Sequence, residues 1–197
     1  MSTNRTNLTL ELRSANGSTT EFFETDKERV REALRLLAAP RLFAEPHLLL
    51  ASQNCASMIP CKGIDMILVR TSAQLPIQFP LELPVGLFDF VEHQYAWPDD
   101  RSAPIKEQDG QSRQRNSQLE IHTLGGWTVA LKAMAMFHGT LQDELQFFSR
   151  LSSLPTIPFR LKDGGFGLLN TANIVCVSAW PKPEVIPAFS LPLELRL

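Results

Sequence analysis

The side chains best suited to chemistry in this chain are three cysteines, four histidines and a few clustered carboxylates. Cys55 and Cys61, with Lys62 beside the second, have the types needed for a thiolate nucleophile, because a neighbouring ammonium favours the thiolate. Such a nucleophile needs a histidine brought beside it, and His47, His93, His122 and His138 are scattered along the chain. The same scatter leaves a zinc site short of ligands: Cys55 and Cys61 need at least two more, and His47 is the nearest in sequence. Glu24, Asp26 and Glu28 stand where a helix begins and suit the positive end of its dipole. Asp99 and Asp100 lie in polar sequence, without the apolar surroundings that acid catalysis requires.

Neither a Gly-x-Ser-x-Gly elbow nor a Gly-x-x-x-x-Gly-Lys-Ser/Thr phosphate loop occurs. Gly164-Gly165-Phe166-Gly167 follows Asp163 between two apolar runs and reads as a hairpin turn. These residues call for no catalytic site, no metal and no cofactor. An odd number of cysteines excludes a complete disulfide framework, so the expected state is reduced thiols.

Composition narrows the classes further. The chain has 197 residues, 44% hydrophobic and 20% charged, enough apolar sequence to build a core. Nineteen basic against twenty-one acidic residues give a formal charge of −2, which argues against nucleic acid and against an anionic membrane surface. No apolar run approaches the roughly 20 residues of a spanning helix. With a polar start at Met1 to Arg5, the sequence reads as soluble and cytoplasmic.

The elements that must position any site follow from periodicity. Leu8, Leu10 and Leu12 alternate with polar residues, Asn16-Gly17 marks a hairpin, and residues 19–24 supply the return strand. Thr25 with Glu28 predicts a capping box, and Val30, Ala33, Leu34 and Leu37 form one stripe of a helix ended by Pro40. Leu48 to Ala51 reads as a buried strand, followed by strands near 57–59 and 64–69. The order returns after residue 118: alternating Leu119 and Ile121, a Gly125-Gly126 turn, a return strand over 127–136, and a cap at Thr140 with Asp143. A stripe of Leu141, Leu145, Phe148 and Leu151 follows, then strands around Phe159, 166–169 and 174–177.

Offsets of 110–112 lay these halves over one another, with Leu8 on Leu119, Ile64 on Ile174, and Pro80 to Leu83 on Pro192 to Leu195. The expected fold is therefore α+β: two tandem related β-β-α-β-β units with mainly antiparallel sheets in a pseudo-two-fold arrangement. The units are residues 1–83 and 119–197, separated by an aromatic insert and polar linker over 84–118. The Pro-containing stretches at 77–83 and 189–195 suit sheet edges, which permit a homodimer without requiring one.

The insert carries Phe88, Phe90, Tyr95 and Trp97, residue types enriched at binding hot spots. They are the candidate anchors for a protein partner, whereas Arg113 and Arg115 make only a thin basic feature. Residues 166–177 are similar to the strand–Asn turn–strand ending of LytTR-type DNA-binding domains, but the basic residues such readers use are missing around them. The expected function is a non-enzymatic protein-interaction or regulatory module. The alternatives are a DNA-binding transcriptional regulator, and a small metabolite-binding protein or enzyme with its site between the repeats.

Overall fold

The computed structural model describes residues 7–37, 42–51, 56–73, 88–92, 106–108, 112–138, 151 and 153–180. The first hairpin forms as its turn signal predicts. Strand β1 (Leu8–Ser14) pairs antiparallel with β2 (Thr19–Glu24), and Gly17 adopts the left-handed φ of +81° that the turn requires. Leu8, Leu10 and Leu12 are buried, so the alternation identifies the core face.

Helix α1 (Lys27–Leu37) buries Val30, Leu34 and Leu37 against those leucines. Its cap differs from the expectation: Asp26, not Thr25, receives the Arg29 N–H, at 2.9 Å. Glu24 accepts from the Thr25 and Asp26 backbone instead, and those bonds hold its carboxyl below the usual range. Pro40, the expected stop, lies outside the described residues.

A 3-10 turn at Leu42–Ala44 leads into β3 (His47–Ala51), which pairs only with β4 (Ala56–Pro60) among the described strands. The turn Cys61–Gly63 then opens β5 (Ile64–Thr71), buried over its first six residues. Strand β6 (Phe88–Glu92) precedes β7 (Lys106–Gln108) and the long hairpin of β8 (Ser112–Thr123) with β9 (Thr128–His138). After β10 (Thr156–Arg160) and β11 (Phe166–Asn170), the turn Thr171–Asn173 starts β12 (Ile174–Trp180).

These strands overturn the expected α+β duplication. One continuous mixed sheet of ten strands runs β12-β8-β9-β6-β10-β11-β5-β1-β2, with β7 beside β8. Strand β11 pairs directly with β5, so sequence from both halves lies in one sheet. Strand β6, from between them, sits between β9 and β10, joined to β10 by the parallel Arg160–Val91 pair. The β10–β11 hairpin lies inside this sheet while β3–β4 stands outside it, so the halves are not equivalent units. Only α1 is described as a complete helix, although Leu151 and Ser153 also have helical backbone. The local sequence match captured hairpins, whereas the architecture is set by long-range pairing.

Two further differences follow. Residues 112–118 of the polar segment belong to β8, whose backbone pairs with β9 from Ser112–His138 through His122–Thr128. Strand β3 is not buried: it alternates, with Leu48 and Leu50 packed inward and Leu49 outward. The expected edge stretches at 77–83 and 189–195, and the 140–148 part of the second helix, lie outside the described residues.

The sheet curls strongly. In strand order β9 is five steps from β1, about 24 Å in a flat sheet at 4.8 Å per step. Yet Trp127, immediately before β9, donates its indole N–H to the Ser14 carbonyl at 3.0 Å. The Gly125 N–H likewise reaches the Asp65 carboxylate at 2.7 Å. A Cβ on Gly125 would lie 2.3 Å from the Ser14 oxygen, so this approach needs glycine there.

The curl encloses one apolar cluster, with Met66, Leu68, Phe159 and Leu131 among its members. A second cluster fills the opposite face of β5 and β11 beneath α1. Among the described residues, no helix is long and apolar enough to cross a membrane.

Candidate functional site

A buried polar junction fixes the end of the curl. Asp65 is fully buried, and its two oxygens accept from Gly125 N–H and from the Asn173 side-chain amide, at 2.7 and 3.0 Å. The Asn173 amide also lies 3.0 Å from the carbonyls of Lys62 and Ile64. Asn170 donates to the carbonyls of Cys61 and Ile64, while its own oxygen caps the following turn through Ala172 N–H. These bonds satisfy groups that burial would otherwise leave at a cost, and they tie the β4–β5 and β11–β12 turns together. The Asn turn singled out in residues 166–177 thus has a structural role.

Beside this junction lies a groove of about 200 Å³ on the inner face of the curl. Its apolar wall comes from Met66, Leu68, Val129 and Phe159, and its polar wall from Arg13, Glu92 and Thr128. Residues of β1, β5, β6, β9 and β10 therefore meet there, although they are separated by up to 146 positions between Arg13 and Phe159.

Arg13 is held from two sides. Its Nε donates to Glu11 at 2.7 Å, and its guanidinium lies 5.0 Å from the centre of the Trp127 ring. Glu11 also meets Arg70 at 3.2 Å, and Arg70 meets Asp163 at 2.7 Å. This chain of alternating charge raises the Arg70 pKa, chiefly through Asp163, and lowers that of Asp163, chiefly through Arg70. Glu92, by contrast, is half-buried and makes no ion pair or hydrogen bond with another described residue.

A different surface is apolar and open. In the β3–β4 ribbon, Leu49 and Met58 face each other directly across the pair and are 73% and 64% exposed. The opposite ribbon face packs Leu48, Leu50 and Ile59 onto the core beneath α1. None of the ten ribbon residues is Asp, Glu, Lys or Arg, so neither strand carries the charge that commonly protects an edge.

Of the residues expected to anchor a partner, Phe88 and Phe90 lie on β6, at register positions opposite Ala135 and Ala133. Tyr95 and Trp97 lie outside the described residues, so the structure does not bring the four together as a described site.

The candidates for chemistry are also separated. Cys61 is buried and its thiol is pushed up by desolvation, with Glu45 adding to the effect, which opposes thiolate formation. Cys55 and His93 lie outside the described residues. His122 lies 2.6 Å from Glu120 and 3.2 Å from the Thr128 hydroxyl. Among the described residues, no three His, Cys, Asp or Glu side chains group as metal ligands.

The sequence carried part of the ribbon's signal, since 47–51 and 56–60 hold no Asp, Glu, Lys or Arg, but the consecutive Leu48-Leu49-Leu50 pointed to a buried strand and not to one with an exposed face. The groove had no local signal, because Arg13 and Glu92 meet only through the curl of the sheet. Compared with protein-family models, with curated proteins and with solved structures, the chain matches none.

Proposed function

We propose that this chain is a non-enzymatic protein-interaction module whose partner supplies an extended, uncharged apolar segment to the outer face of the β3–β4 ribbon. The observation that carries this reading is the directly opposed, outward-facing pair Leu49 and Met58. Exposed apolar side chains are ordinary when single, but a cross-strand pair on an uncharged ribbon offers contiguous area for docking. Neither ribbon strand pairs with a further described strand, so a partner segment can add backbone hydrogen bonds while its alternate side chains cover Leu49 and Met58. The absence of charge on these ten residues favours an apolar segment over an acidic, basic or nucleic-acid partner.

A displayed library of random short peptides tests this reading. Selection on the native protein should enrich sequences that are apolar at alternate positions, and Leu49→Glu with Met58→Glu should abolish their binding. Enrichment of the same sequences by the double variant, or none by the native protein, refutes the reading. A salt-dependent shift of duplex DNA in place of peptide binding supports the transcriptional-regulator alternative.

A further inference from the structure

We propose that the groove between β1, β5, β6, β9 and β10 binds a small apolar amine, with Glu92 receiving its ammonium and the Met66–Leu68–Phe159 wall covering its hydrocarbon body. This site is independent of the ribbon reading. At about 200 Å³ the groove is smaller than the roughly 300–1,000 Å³ usual for drug-sized ligands. It has the volume of about six or seven waters, which suits one ring or a short alkyl chain and excludes a nucleotide.

Charge selects the class. Arg13, Glu11, Arg70 and Asp163 form a linked chain of two cations and two anions, so their formal charges cancel. Glu92 is left as one half-buried carboxylate with no paired cation among the described residues. A monocation supplies that partner, whereas an anion would meet an Arg13 already held by Glu11 and would leave Glu92 uncompensated. Lys132 is exposed on β9, but its register partner is Val91; Glu92 pairs with buried Leu131 and shares that inward face. Cross-strand register therefore places Glu92 on the apolar side of the curl, where an ammonium and a hydrocarbon body can be held together.

Titrating the full chain with benzylamine, followed by amide NMR, tests the site. The expected result is saturable change at Met66, Leu68 and Val129, with binding at least about tenfold weaker for benzyl alcohol or for Glu92→Gln. The alcohol comparison uses the native protein, so it reads the charge requirement even if the variant fails to fold. Phenylacetate should bind more weakly than benzylamine. Equal binding of amine and alcohol, preference for phenylacetate, or no saturable change at these positions overturns the proposal. L-phenylalanine distinguishes a zwitterion site: tighter binding than benzylamine would show that Arg13 accepts a carboxylate and would also overturn the amine assignment.

Discussion

Replacing Asp65 with alanine should release the end of the curl. Its carboxylate accepts from Gly125 N–H at 2.7 Å and from Asn173 at 3.0 Å, and it is wholly buried. Hydrogen bonds to a carboxylate contribute about 1.5–3 kcal/mol each, so two amount to about 3–6 kcal/mol before compensation. Relief of the buried carboxylate's desolvation offsets part of this loss, leaving an expected net cost of about 2–4 kcal/mol. The Gly125 N–H would also lose its acceptor within the junction, which opposes simple collapse of the site.

Urea unfolding followed by tryptophan fluorescence provides the assay. With a slope of about 2 kcal/mol per molar urea, the midpoint should fall by about 1–2 M at unchanged slope. Asn173→Ala should couple to Asp65→Ala, so that the double variant loses less than the sum of the single losses. A midpoint shift under about 0.3 M, or strict additivity, would refute the claim that this junction holds the sheet closed.

Three other perturbations probe separate parts of the fold. Gly125→Ala should destabilise by about 1–3 kcal/mol, read as a lower thermal midpoint, because its Cβ would meet the Ser14 carbonyl at 2.3 Å. In a Cys55→Ser background, iodoacetamide should alkylate exposed Cys176 before buried Cys61, whose raised pKa suppresses thiolate. Mass spectrometry should show Cys61 labelled only on unfolding or at higher pH. Asp163→Asn should cost under about 1 kcal/mol at pH 7, because Arg70 and Asp163 are 43% and 51% exposed. The folded carboxyl is lowered, so the native protein's advantage is present above the unfolded Asp pKa and disappears as pH falls through the folded value. Urea curves at neutral and acid pH check that sign.

Local chemistry was readable where the interaction itself was local. Asn16-Gly17, Gly125-Gly126 and Asp163-Gly164 marked real turns, and the spacing of Val30, Leu34 and Leu37 identified the buried face of α1. The Thr25–Glu28 capping box failed because neighbouring atoms redistributed its bonds: Glu24 takes the Thr25 N–H, while Asp26 caps the helix. The strand at 112–118 was hidden because its residues lack an apolar alternation, and its order comes from backbone pairing to β9.

The duplicated pattern was misleading for a related reason. Similar hairpins recur, but β11 joins β5 while β4, among the described strands, pairs only with β3, a choice made by long-range contacts. The groove was still less legible, since Arg13 and Glu92 reach it from different strands through the curl. The ribbon was legible only as two short uncharged strands at 47–51 and 56–60: the continuous Leu48-Leu49-Leu50 run pointed to burial, and the alternating exposure of its side chains comes from packing one face alone onto the core.

Photo-crosslinking from position 49 tests the interaction surface most directly. A photoreactive residue replacing Leu49 in the full chain, in source cells, should give a discrete nuclease-resistant protein adduct that Met58→Glu abolishes. The same residue at position 124, also exposed but on the β8–β9 turn, should not give that adduct. No adduct from position 49, or the same adduct from both positions, would contradict docking at the ribbon.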